Sequence, residues 1–423
     1  MLRTKVSDMK TENIQPLPFQ FQSSVHDSNV IVERTMNPQS VSSTQENISK
    51  SKIKKIPPEL RREKILYKLE PLWYKRLLLR LQHDSQFLRS VVQFSFVFLC
   101  IWIGIEFYLF EQWGASEGVA TFTQRPPGAE GFLPISALMS LKYWFQTGII
   151  NDVHPSGLFI FVAIVGIGIL LKKAFCSWLC PVGTLSESLW ILGKKIFGRN
   201  FTITKWIDVP LRGLKYLLLL FFAYSIWQMD VNDLQAFIYS PYNKMADVKM
   251  FQFFAHISTF ALWTVIILMI ASVFIKNFWC RYLCPYGALL GITSLLSPLK
   301  ITRNKETCID CELCTKACPA NVKVHKVTKV WSDECTSCLA CVEVCPVKNT
   351  LDIRTSLTRT KVPNWVFGSL IVGIFIAVTG MAIVTGHWQN NISKEEYLKR
   401  FPKIDNQMYQ HNRGQVPHYT PED

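Results

Sequence analysis

Charge is sparse in this chain. Asp, Glu, Lys and Arg make up 18% of its 423 residues, against 49% hydrophobic, a balance that suits a membrane protein carrying a small soluble module. No Cys-x2-Cys-His motif occurs, which excludes ordinary covalent c-type haem. No glycine-rich phosphate loop follows a strand pattern, so no dinucleotide site is indicated. No long apolar run precedes Val91; nothing there resembles a signal peptide, and the amino terminus is expected to stay on the side of synthesis. The net charge of +15 comes with neither a helix-turn-helix pattern nor a basic groove interleaved with aromatics, so nucleic acid is not an expected partner.

Long apolar runs are plentiful. Residues 91–110, 156–171, 214–228, 254–275 and 365–386 are each near or above the length that spans a bilayer as a helix. Lys215 interrupts the third and is expected to snorkel to the headgroups. With the amino terminus inside, segments 1–90, 172–215 and 276–363 hold 37 of the 46 basic residues, which places them in the cytoplasm by the positive-inside rule. The carboxyl terminus then lies outside, in the periplasm of a bacterial inner membrane.

The domain order follows from composition. Residues 1–60, rich in Ser, Gln, Asn and Thr, are expected to be a disordered cytoplasmic tail. Residues 61–90 are a basic amphipathic segment, expected to lie on membrane lipid. Residues 91–299 are expected to form a four-span membrane domain, 300–361 a cytoplasmic cysteine-rich domain, 364–386 a fifth transmembrane helix and 387–423 an outer tail. Residues 133–150 of the outer loop are expected to add an interfacial or re-entrant helix.

The cysteines carry the chemistry. Cys308, Cys311, Cys314 and Cys318 precede Pro319, and the same spacing returns in Cys335, Cys338, Cys341 and Cys345 before Pro346. Two triplet-plus-one runs, each closed by proline, are the signature of a bacterial ferredoxin with two 4Fe-4S clusters, in which the fourth cysteine of each run crosses to the other cube. Cluster one would take Cys308, Cys311, Cys314 and Cys345, and cluster two Cys335, Cys338, Cys341 and Cys318. Zinc sites use paired spacings and disulfides belong to oxidising compartments; neither matches.

A second duplication lies at the ends of the second and fourth runs, in FCSWLCPVGTL at 175–185 and WCRYLCPYGAL at 279–289. Cys176 and Cys180, and likewise Cys280 and Cys284, would share a helix face if the helix continued through them. Three alternatives stay open at this point: a third metal or cluster site, a dithiol relay, or buried apolar cysteines. Lys172, Lys173, Lys276 and Arg281 lie nearby in sequence and would favour thiolate. Cys100, alone in the first run, is read as packing.

These two motif pairs together resemble the NapH, NosR and CcoG group of membrane polyferredoxins over about residues 90–390. The resemblance implies electron transfer between membrane quinol and a respiratory or reductase partner protein, or copper and oxidase assembly in the CcoG branch. CcoG-like proteins carry a sizeable extra carboxyl-terminal domain of immunoglobulin type, whereas only some thirty-five largely polar residues follow His387 here. NosR-like proteins carry an outer flavin domain, and no Ser/Thr-Gly-Ala-Thr attachment motif is present. The compact NapH-like type is the nearest match.

A quinol oxidation step needs a base near the membrane boundary. Glu106, His154, His256 and His387 are candidates, and a b-type haem between His154 and His256 is the competing use of the histidines. Lys316, Lys323, Lys326 and Lys329 form a basic patch on the ferredoxin, suited to an acidic redox partner or simply to positive-inside bias. The expected fold class is an α-helical membrane protein of about five spans, with an internal repeat of two helix pairs and a small α+β ferredoxin domain. Its expected role is membrane-bound electron transfer; copper handling through the four helix-end cysteines, and an iron-sulfur sensor or scaffold, are the alternatives.

Overall fold

The computed structural model describes residues 56–62 and 71–410, together with Ile53. The expected disorder of 1–60 falls almost wholly outside these residues, as does the tail beyond 410.

Asp84 opens the first long helix. Its carboxylate accepts from the N–H groups of Gln86 and Phe87, and helix Ser85–Ala115 follows. The first long helix therefore begins before Val91. Among the described residues of the amphipathic segment is helix Trp73–His83, which buries no residue and exposes Trp73, Leu77 and Leu78 beside Lys75, Arg76 and Arg80. An apolar stripe left uncovered next to basic side chains suits a lipid headgroup boundary.

By length and composition, helices Ser85–Ala115, Lys205–Gln228 and Asn364–Val384 are able to cross a membrane. Their apolar side chains largely face outward, as Phe98 at 68% exposure illustrates. Two of the five expected runs are not single helices of that length. Helix Pro155–Leu171 has 17 residues, about 26 Å of rise, at the short end of what crosses a hydrocarbon core. It is wrapped by protein, packing on helices Asn364–Val384 and Pro134–Thr147. The fourth run is broken: helix Ala246–Ala255 ends at His256, Ser258 caps helix Thr259–Phe274, and the two axes differ by 79°. Among the described residues three helices, or four if the bent pair is one span, pass by length and composition. The outer-loop helix is present as Pro134–Thr147.

The ferredoxin domain is built on one antiparallel pair, β1 (Leu299–Arg303) and β2 (Leu351–Thr355), in the register Leu299↔Thr355, Ile301↔Ile353 and Arg303↔Leu351. It is packed into the helical part, not tethered to it. Ile301, Leu339, Val342 and Ile353 share one buried cluster with Ile164, Ile167, Trp178 and Phe367 of the helices. Polar groups stitch the same seam. Lys172 Nζ donates to the Val330 carbonyl at 2.9 Å, Ser177 Oγ to Thr336 at 2.7 Å, Trp178 Nε1 to Ser337 at 3.2 Å and Gln86 Nε2 to Cys338 at 2.9 Å. Arg281 binds Asp208 through two nitrogens and also reaches the Ala320 carbonyl.

Lys215 does not snorkel. Its side chain is fully buried and its ammonium pairs with Glu334, while the neighbouring Tyr216 hydroxyl binds Asp333. Thus the lysine in the middle of an apolar run is the membrane helix's anchor for the ferredoxin. Removing one partner strands the other charge, a cost of about 3–5 kcal/mol. Lys215→Met should therefore lower the thermal midpoint of the purified full-length protein, and adding Glu334→Leu should recover most of the loss. A Lys215→Met protein as stable as wild type would refute this account.

Candidate functional site

Each cysteine run makes a tight loop that turns twice through left-handed backbone. Asp310 and Glu312 flank Cys311 at φ 47° and 61°, and Ser337 and Leu339 flank Cys338 at φ 48° and 62°. The two loops thus repeat the same departures at the same offsets, at a cost on the order of 1–2 kcal/mol for each non-glycine residue. Strain of this kind persists where it serves a site. Here it curls three sulfurs around a hollow, and a short helix follows in each case, Leu313–Ala317 and Ala340–Glu343.

Two cavities lie inside these loops. One is lined by Cys308, Cys311, Cys314 and Cys345, with Arg303, His325 and Val347. The other is lined by Cys335, Cys338, Cys341 and Cys318, with Ile301, Val324 and Val330. The groupings coincide with the crossed sets expected from spacing. Their settings differ: Cys335, Cys338 and Cys341 are buried against the helical part, whereas the four cysteines of the first cavity are partly exposed. Burial pushes the Cys318 thiol up to about 12 and Cys345 up to about 11. Arg303 adds a feature that spacing alone does not reveal, donating to Cys308 Sγ at 3.2 Å and pairing with Asp310.

The second set of cysteines also converges, though by another route than expected. The helix does not run through them. It stops at Trp178 in the first motif and at Tyr282 in the second, and Cys180 and Cys284 become the N-caps of helices Pro181–Phe197 and Pro285–Thr293. In each, proline takes the first helical position, where its missing N–H costs nothing. The glycine two residues later donates its N–H to the capping sulfur, Gly183 to Cys180 at 3.4 Å and Gly287 to Cys284 at 3.3 Å.

Of the four nearby cations, one stays with the sulfurs. Lys172, as above, holds the Val330 loop, Arg281 is taken by Asp208, and Lys276 lies over the Trp190 ring. Lys173 is buried among the cysteines. Among the described residues no three His, Cys, Asp or Glu side chains gather as they would about a single metal ion; the ferredoxin cysteines stand around cavities instead.

The outer candidates part company. His154 is buried with both ring nitrogens engaged, Nε2 on the Asn243 carbonyl at 2.7 Å and Nδ1 beside Arg125 at 3.3 Å and Glu130 at 3.4 Å. Neither nitrogen is left for haem iron. Arg125 also pairs with Asp247 and Glu130, and Glu130 accepts from Ser156 Oγ and from the Gly157 N–H. Glu106 is partly exposed and accepts from Trp102 Nε1 at 2.9 Å. His256 is exposed at the helix break, and His387, partly buried beside Phe159, has an Nδ1 without a partner.

Two family models match, one described as a 4Fe-4S binding domain over residues 153–200 and one as a 4Fe-4S dicluster domain over residues 279–353. The putative electron transport protein YccM of Escherichia coli is 46% identical over 320 residues, covering 74% of this chain and 90% of YccM. The chain belongs to the NapH/NosR-type family of membrane polyferredoxins. NirI of Paracoccus denitrificans is 27% identical over 238 residues, 54% of this chain and 33% of NirI. The ferredoxin-type protein NapH of Haemophilus influenzae is 28% identical over 201 residues, 45% of this chain and 63% of NapH. No solved structure matches. Membership makes this an iron-sulfur electron-transport protein.

Two predictions follow from the geometry. A Cβ on Gly183 would sit 2.2 Å from the Cys176 carbonyl oxygen, but one on Gly287 would sit 3.2 Å from that of Cys280. Gly183→Ala should therefore lower stability by about 1–3 kcal/mol and Gly287→Ala by much less; equal melting curves would contradict the model. At the outer end, burial by itself would raise the Glu130 carboxyl, but Arg125 and His154 bring it down to about 2. Its stabilising contribution is then complete above the usual carboxylate range and is lost as pH falls from about 4.5 towards about 2. Glu130→Gln should flatten that part of the stability profile, measured by acid titration of the melt.

Proposed function

We propose that the protein is a multi-pass membrane electron carrier that moves electrons between the quinol pool and a redox partner at the cytoplasmic face. Two 4Fe-4S clusters would be held by Cys308, Cys311, Cys314 and Cys345, and by Cys335, Cys338, Cys341 and Cys318. A cluster so ligated supplies one-electron transfer, with its potential set by burial and hydrogen bonds. The observation that carries the reading is the pair of cavities, lined by the crossed cysteine sets and sited differently in the fold.

The inner cavity is pressed against the helices by Ser177, Trp178 and Gln86, which bind the backbone of Thr336, Ser337 and Cys338. The outer cavity is lined by partly exposed cysteines and by His325, whose neighbours Lys323 and Lys326 face solvent. The inner set is thus the membrane-side station and the outer set the port for a soluble or peripheral partner. Cytoplasmic placement of this port rests on the 37 basic residues in the expected inner segments.

The test is reduction of the anaerobically purified protein in liposomes by a soluble quinol, followed by EPR. Quinol-reducible 4Fe-4S signals are expected. Clusters that respond to dithionite and never to quinol would remove the quinol link. Cys345→Ser should alter the signal of the partly exposed cluster and Cys318→Ser that of the buried one; the reverse assignment would refute the crossed ligand sets.

A further inference from the structure

The four remaining paired cysteines sit in an environment built for negative charge. Cys180 and Cys284 each cap a helix N-terminus and accept an amide N–H, so two helix dipoles, from helices of 17 and 9 residues, point at the sulfurs. The two motifs meet: Lys173, three residues before Cys176, brings its ammonium to Gly287, which donates its N–H to Cys284 in the second motif. Between them stands Lys173, 3% exposed. Its ammonium lies 3.6 Å from where a Cβ on Gly287 would be, and it makes no ion pair or hydrogen bond of its own, whereas Lys172 and Lys215 on either side are fully engaged. A buried ammonium that faces Cys176, Cys280 and Cys284, with Glu334 reaching it only beyond ion-pair distance, marks a place for an anion.

Coordination by a metal deprotonates thiols, and the amides and Lys173 would then offset the charge. Moreover, the matched 4Fe-4S segment 153–200 contains Cys176 and Cys180 and no other cysteine.

We infer that Cys176, Cys180, Cys280 and Cys284 hold a third iron-sulfur cluster, an anionic four-thiolate cage between the helices and the ferredoxin, with Lys173 as its buried counter-charge. This inference rests on the iron-sulfur reading of the family. The site has a direct neighbour on the ferredoxin side: Glu334, paired to Lys215, acts on Lys173 and Cys176 and immediately precedes Cys335 of the inner set. The cage would therefore be the station next to the inner cavity.

Iron and acid-labile sulfide per chain in the full-length protein, purified anaerobically in detergent, decide the matter. About twelve irons in wild type, three cubes of four, is the expected result; about eight would overturn the third cluster and leave the ferredoxin reading intact, and none would overturn both. The wild-type count stands whether or not a variant folds. Cys180→Ser with Cys284→Ser should bring about twelve down to about eight with both ferredoxin EPR signals retained. Lys173→Met should move only the third signal, by about tenfold in its reduced-to-oxidised ratio at fixed potential, towards the oxidised form, and Lys173→Arg should restore it. A third signal unmoved by Lys173→Met would overturn the role given to that lysine.

Discussion

Lys215 has no exposed surface and sits in an apolar helix, and its ammonium is paired directly with Glu334. Because Glu334 adjoins Cys335, this pair fixes the distance between the membrane helices and the inner cysteine loop. The other seam contacts, from Lys172, Ser177, Trp178 and Arg281, land on backbone carbonyls around the same loops and define orientation. An ion pair alone would give little direction. A charge that must be buried in one place, surrounded by directional hydrogen bonds, gives a unique docking. Rigid placement matters for an electron carrier, whose function depends on how its redox groups are spaced.

The ferredoxin was the most legible part of the sequence. Eight cysteines with fixed spacing and two prolines leave little freedom, and the cavities group them as spacing implies. Spacing cannot show the left-handed residues that make the loops close, since Glu312 and Leu339 carry no local mark of a positive φ. The helix-end motifs were legible as a duplication, but the assumption of a continuous helix failed. Proline at the first position of the next helix, with the preceding cysteine as cap, was the stronger signal.

Among the described residues hydropathy marked the apolar helices of the expected runs but not the surroundings of two of them. Pro155–Leu171 is as apolar as a span, yet its neighbours bury it; a window average cannot separate lipid from protein as the apolar partner. The run around 254–275 hid a break, because His256 and Ser258 weigh little in an average while a serine cap ends the geometry outright. Lys215 was misassigned for a related reason: its partner is 119 positions away in sequence. The outer network of Arg125, Glu130, Asp247 and His154 joins the loop at 125–130 to two helices distant in sequence, and no local pattern announces it.

At that outer end, the last described helix does more than trail away. Tyr397 and Phe401 pack on Phe110, and the Phe401 ring lies where Gly114 has no side chain. The top of the first long helix is therefore covered by residues synthesised almost three hundred positions later. During biosynthesis the first span must wait in the bilayer with Phe110 and Trp113 uncovered until some three hundred later residues, about two to three typical domains in length, have been made. Closure of the outer face is thus an assembly checkpoint, reached only by a chain translated through Phe401.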